Sequence, residues 1–272
     1  MKTEQPAGRS TTSVDASPLT GTIDGEASRD ATPSCRLALI VGLGNPGPEY
    51  ANHRHNVGFQ IVQALAKDHG LSFDRHKKAK ARVAEGTIGQ QQVLLAKPQT
   101  FMNLSGKTVG RLSRDREIPP ECILVVYDDL DLPLGRLRIR PSGGSGGHKG
   151  LRSIIEVLGS QDFARLRVGI DRPPGSLDPA DYVLQPFAAE DQALVAETLG
   201  RAVEAVESWL ADGVVAAMDR FNRPPSSGGD EGHDEQGGSA DRKDERDAGQ
   251  TAALSLSPPP SDLVAGTQES EA

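Results

Sequence analysis

Apolar residues along this chain switch between two spacings. Arg36-Leu-Ala-Leu-Ile-Val41 is a short continuous apolar run, the pattern of a strand buried on both faces. Val57, Ile61, Val62 and Leu65 then recur at helical spacing from Asn56 to His69, and Gly70 stands where a helix stop belongs. Val93–Ala96 predicts a strand ended by Lys97-Pro98, and Leu104–Leu112 a helix. Cys122–Tyr127 is a second apolar run, and Leu137-Arg-Ile-Arg140 alternates like a strand with one wet face. Leu151, Ile154, Ile155 and Leu158 form one helical stripe. Leu166–Ile170 predicts a strand, and Asp191–Leu210 a long helix with Val195, Leu199, Ala202, Val206 and Trp209 on one side. Strands alternating with helices predict an α/β fold, a single domain whose mostly parallel, mixed twisted sheet is flanked by helices. In such folds the loops after strand carboxyl ends build the site.

The ends lack this pattern. Residues 1–35 are rich in Ser, Thr, Gly, Ala and Pro, and residues 224–272 hold polar, acidic and proline runs. Neither stretch buries enough apolar surface to offset its ordering entropy, so disordered tails are expected around a domain spanning 36–223.

Charge divides the same way. The formal net charge of −8 argues at first against a polyanionic partner. The first tail carries three bases against five acids and the second three against eleven. That leaves 24 bases and 22 acids in the middle, a weakly basic core between acidic ends. Cys35 and Cys122 lie far apart with no metal-ligand spacing, so neither a zinc site nor a disulfide is expected, and a reducing cytoplasm is preferred. No apolar run has the length of a membrane span, and no secretory or mitochondrial leader is recognisable.

Five segments carry candidate chemistry. Gly42-Leu-Gly44-Asn45-Pro46-Gly47 follows the first strand and matches a dinucleotide fingerprint. The prolines around its third glycine and the lack of a ribose-binding acid after the next strand count against a nucleotide. The other reading is a tight turn aiming Asn45 into a cleft. His53 and His55 stand just before a helix. Two residues apart in a loop, they make a poor metal clamp, and surface histidines are commoner than catalytic ones. Yet the helix dipole there favours the neutral ring that a base requires. Such a base needs a carboxylate to orient it. Asp128, Asp129 and Asp131 follow the third strand, either as a metal site or orienting acid or as a solvated turn with Asp129 and Asp131 facing water; at least one, Asp128, nearest the strand end, is expected to point inward. In Lys97–Gly106 the plain reading is a turn with Phe101 in the core, while Asn103 can both donate to and accept from a carbonyl or amide substrate. Finally, Gly143-Gly-Ser-Gly-Gly147-His148-Lys149 precedes a helix, with Arg136, Arg138, Arg140 and Arg152 near it and Arg165 and Arg167 on the last strand. This is either a ligand-free flexible loop or an anion seat, and the arginines favour the seat.

Taken together, VGLGNPGPEYANHRHNVGF, KPQTFMNLSGK, YDDLDLPLGRLRIR, GGSGGHKGLRSII and FARLRVGI resemble the bacterial peptidyl-tRNA hydrolase family, in family order, over about residues 36–223. The resemblance implies a metal-free, cofactor-free cytoplasmic monomer whose partner is peptidyl-tRNA and which has no membrane association. It further implies that His55 activates water, Asp128 holds His55, and Asn45 binds the peptide near the ester. Tyr50, Phe101 and Asn103 would line the site and hold the tRNA 3′ end. Arg140 and Arg167 would clamp the 5′ phosphate, and His148 would lie in a gating loop. Lys149 departs from the commonest pattern, which has Asn there; lysine offers no acceptor with which to position water. The rivals are a nucleotide-dependent oxidoreductase and a non-catalytic RNA-binding relative of the same fold.

Overall fold

A computed structural model describes residues 35–223, so the two expected tails lie outside the described residues apart from Cys35 at the end of the first. Seven strands form one sheet: β1 Ala38–Gly42, β2 Asp74–His76, β3 Ala81–Ile88, β4 Gln91–Pro98, β5 Ile123–Asp129, β6 Leu137–Arg140 and β7 Ala164–Gly169. Their order is β2-β3-β4-β1-β5-β7-β6. The central strands β4, β1, β5 and β7 are parallel, and the outer strands β2, β3 and β6 run antiparallel to their neighbours. All of β1 is buried, because helices cover both faces of the sheet.

Helices α1 (Val57–Asp68) and α5 (Gln192–Phe221) pack on one face through Ile61, Leu65, Val206 and Trp209. Helices α2 (Ser105–Asp115) and α3 (Lys149–Leu158) cover the other, over Leu39, Val125 and Tyr127. A short helix α4 (Pro179–Tyr182) joins a smaller cluster of Ile170, Tyr182, Phe187 and Val195. Helix α5 runs past the predicted end at Leu210, but Gly213 breaks it with φ 84° and ψ 179°. At the far edge the Asn222 side chain bonds both backbone groups of Ile139 in β6, at 2.7 and 3.1 Å.

Glycines at the end of β1 and the start of α1 serve packing. A Cβ on Gly42 would sit 2.1 Å from the Gly58 carbonyl, and one on Gly58 would sit 2.4 Å from that of Val126. The first turn of α1 therefore lies directly against the ends of β1 and β5. This close approach accounts for Gly42 of the pattern that resembled a dinucleotide fingerprint; a Cβ on Gly44 would sit 2.7 Å from the Phe59 ring, and Gly47 takes φ 127°.

The cysteine reading is overturned: Cys35 and Cys122 form a disulfide with Cα atoms 5.7 Å apart. Cys35 comes just before β1 and Cys122 just before β5, and these neighbouring parallel strands pair Leu39 with Ile123. Eighty-seven residues of sequence separation conceal a contact that strand adjacency creates.

Candidate active site

Asn45 leaves β1 at the carboxyl edge of the parallel strands, and three bonds fix it. Its backbone N–H donates to the Asn56 side-chain oxygen at 2.9 Å, and the Asn56 amide donates back to the Asn45 carbonyl at 2.9 Å. The Met102 N–H donates to Asn45 Oδ1 at 3.0 Å. Because a backbone donor claims the oxygen, the Asn45 NH2 group is the part left to serve a ligand.

His55 lies in the 3-10 turn Arg54–Asn56 that opens α1. Its backbone N–H donates to the Val183 carbonyl at 2.9 Å. Beside it the buried Arg54 guanidinium donates to the Pro186 carbonyl at 2.6 Å and lies 4.2 Å from the centre of the Tyr182 ring. The turn is thus bolted to the segment after α4. His55 Nδ1 is 2.8 and 2.9 Å from the two oxygens of Asp128 at the end of β5. With Nδ1–H directed at a carboxylate, Nε2 is the ring's free acceptor.

Asp128 also receives His148, whose Nε2 lies 3.2 Å from Oδ1. His148 caps α3, and its Nδ1 accepts the Leu151 N–H at 3.2 Å. That bond requires Nδ1 to be bare, so the proton is on Nε2 and is donated to Asp128. Burial alone would push the Asp128 carboxyl up. The charge of His55 and the bonds from His148 and His55 outweigh burial and hold it well below the usual carboxylate range. Ligand atoms of His55, Asp128 and His148 lie within 4.8 Å of one another, close enough for a metal ion. Both histidine nitrogens facing the carboxylate are used as donors in this arrangement, so an ion would have to displace both protons.

The remaining acids divide. Asp129, which a solvated turn would leave facing water, is only 11% exposed in its side chain and pairs with Arg167. Asp131 is exposed and pairs with Arg172, as a solvated turn would. The core reading of Phe101 also fails: it is 62% exposed, with the neighbouring Met102 turned inward instead. Asn103 is exposed beside it, and Tyr50 is half-buried against His53, ring centres 5.4 Å apart.

Beside this cluster, β6 and β7 set Arg138 opposite Arg167 and Arg140 opposite Arg165, four guanidinium groups on one face of the sheet. Like charges facing across a strand pair destabilise it unless an anion offsets them. Arg165 is otherwise engaged: it is 2% exposed and donates to the carbonyls of Gly143, Gly144, Gln161 and Phe163. It is a strut under the glycine loop, whose Gly143, Gly146 and Gly147 all take positive φ.

The family model described as peptidyl-tRNA hydrolase matches residues 39–228. The chain belongs to the peptidyl-tRNA hydrolase family. It is 52% identical over 185 residues to the peptidyl-tRNA hydrolase of Chloroflexus aggregans, covering 68% of this chain and 98% of that one. The Roseiflexus castenholzii relative is 55% identical over 188 residues, 69% of this chain and 87% of its own. A crystal structure of peptidyl-tRNA hydrolase from Acinetobacter baumannii superimposes with a TM-score of 0.65 at 37% identity, covering 69% of this chain and 95% of that one. A peptidyl-tRNA hydrolase crystallised with N-propanol gives 0.67 at 36% identity, with 71% and 97% covered.

Within this peptidyl-tRNA hydrolase fold, His55, Asp128, His148 and Asn45 come together at one strand edge. Lys149 is exposed at the first position of α3. Arg140 is half-buried in β6 and forms no ion pair among the described residues, while Arg167 is held by Asp129. Sequence reasoning missed Asn56 as the clamp on Asn45 and Arg54 as the bolt behind His55. The signal was their position directly beside His55 at a helix start. It also missed that His148 shares the carboxylate of His55.

Proposed function

We propose that this chain hydrolyses the ester joining a peptide to the 3′ end of tRNA, with His55 as the general base. The observation that carries the proposal is the His55 Nδ1–Asp128 bond, which leaves Nε2 free at the mouth of the sheet. Water bound at Nε2 gives up a proton as its oxygen attacks the ester carbonyl carbon. The carbonyl oxygen gains negative charge, and the Asn45 NH2 group is free to donate to it. Collapse breaks the bond to the ribose oxygen, which takes the proton back from His55. The products are a peptide carboxylic acid, which gives its proton to solvent, and a tRNA with a free terminal hydroxyl. Asp128 stabilises the imidazolium formed midway, and the His148 donor keeps Asp128 ionised.

The exposed ring of Phe101 suits stacking on a terminal base, with Tyr50 and Asn103 lining the same mouth. Arg140 and Arg167 provide the clamp for a 5′ phosphate, with Arg138 beside them on the same face. Because Asp129 already holds Arg167, a phosphate competes with that carboxylate for it. His148 and Lys149 begin the helix behind the glycine loop, and Lys149 contributes a charge where a family asparagine would contribute an acceptor. The reading places this domain, residues 36–223, in the cytoplasm as a monomer flanked by tails. There Cys35 and Cys122 meet a reducing thiol pool. Among the described residues no helix is long and apolar enough to cross a membrane.

Release of the blocked amino acid from N-acetylaminoacyl-tRNA tests the assignment. His55→Ala is expected to lose about 10²- to 10⁴-fold in kcat. A full rate in that variant, or no hydrolysis by the wild type, would overturn it. Hydrolysis is also expected to weaken with added salt, and less steeply in Arg140→Gln.

A further inference from the structure

On the side of the catalytic cluster away from the arginine face, a second basic group surrounds a cavity of about 330 Å³ lined by Arg75, His76, Lys77, Lys80, Ala81 and Gln99. All six lie at the same sheet edge as Asn45. Gln99 directly follows parallel strand β4, while β3 runs back from Ala81 and β2 ends at His76. None of Arg75, Lys77 or Lys80 forms an ion pair among the described residues. His76 Nδ1 accepts the Ala79 N–H at 3.1 Å, so its Nε2–H is a further donor. Two carboxylates are near: Asp74 on β2, and Asp115, which is paired with Arg111. Lys80 is held at φ 51°, an uncommon conformation for a side-chain-bearing residue, while its carbonyl takes the Gln99 N–H at 2.7 Å.

We propose that this cavity is a peptide subsite that selects acidic side chains in the nascent peptide. The proposal rests on the hydrolase reading above. The order of the strands assigns the two sides. Arginines on β6 and β7 take the body of the tRNA to one flank, and Phe101, next to the Met102 that bonds Asn45, keeps its last base at the ester itself, so the peptide leaves toward β4, β3 and β2. From β1 to β2 is three strand spacings, about 14 Å. An extended peptide covers that distance in about four residues. An aspartate or glutamate near the fourth residue from the ester therefore reaches the basic cavity, and a lysine there meets like charge.

The test uses the full chain and one tRNA charged with N-acetylated hexapeptides carrying Glu, Gln or Lys at the fourth residue from the ester, beside N-acetylalanyl-tRNA. The wild type is expected to show a KM about two- to fivefold lower for Glu than for Lys, the size of an exposed ion pair. Both the double variant Arg75→Gln, Lys77→Gln and the single Lys80→Gln are expected to shrink that ratio and leave N-acetylalanyl-tRNA unchanged. Equal KM values for the three hexapeptides in the wild type would overturn the proposal. So would a variant that raises KM for every substrate alike and flattens the salt response, which would make the cavity a seat for RNA phosphate. Failure of the wild type on N-acetylalanyl-tRNA would instead sink the His55 assignment.

Discussion

The Met102 backbone N–H donates to the side-chain oxygen of Asn45 at 3.0 Å, and this one bond decides which end of the Asn45 amide meets a substrate. Asn45→Asp keeps an oxygen for Met102 and replaces the outward donor with a second acceptor. Kcat is expected to fall about 10²- to 10³-fold, the usual cost of losing one oxyanion donor. The thermal midpoint should stay close to that of the wild type. A variant that unfolds early instead would make Asn45 a structural residue.

His148→Phe retains a ring against Tyr127, 4.9 Å away between ring centres, but removes both of its hydrogen bonds. Loss of the cap is expected to cost about 0.5–2 kcal/mol. Loss of the donor lets the Asp128 carboxyl rise. The sign follows from linkage: a depressed folded-state carboxyl stabilises the fold above the unfolded carboxyl's value, about 3.9, and loses that contribution as pH falls through its own lower one. The variant should therefore unfold at higher pH in an acid titration than the wild type. Coincident acid curves would remove His148 from the account.

Reduction of the Cys35–Cys122 bond, or Cys35→Ser, should lower stability by about 2–5 kcal/mol in denaturant titrations. Hydrolysis of N-acetylaminoacyl-tRNA should keep its rate. The bridge lies at the amino ends of β1 and β5, and the His55–Asp128 pair lies at the carboxyl edge of the same strands.

Lys97 packs 4.2 Å from the centre of the Phe73 ring, and burial, with a smaller push from Arg82, lowers its amine to about 8. Above that value the folded chain has shed a proton that the unfolded chain keeps up to about 10.4. Stability from this group therefore rises with pH across that window. Relative to Lys97→Met, the wild type should gain stability between pH 8 and pH 10. A constant difference between the two melting curves would refute this.

The sequence announced its buried parts better than its wet ones. β1 and β5 were legible as unbroken apolar runs because helices cover both of their faces. β3 was not, since Arg82, Glu85 and Thr87 interrupt it; Glu85 faces outward to pair with Arg116. β2 has three residues, two of them exposed, and carries no pattern. His55 and Asp128 could be singled out because one opens a helix and the other ends a strand. The bond from His148 to Asp128 could not, because it depends on how the glycine loop returns to the sheet. For Phe101, hydrophobicity alone pointed to the core, because an aromatic side chain usually signals burial, whereas this ring is 62% exposed.

Asn222 gives the edge strand β6 a partner that is not a strand. With both backbone groups of Ile139 occupied by one side chain, the middle of that border has no free ladder to offer a neighbouring chain. The last turn of the domain thus guards against edge-to-edge aggregation, and concentrated solutions of Asn222→Ala should scatter light at protein levels where the wild type stays clear.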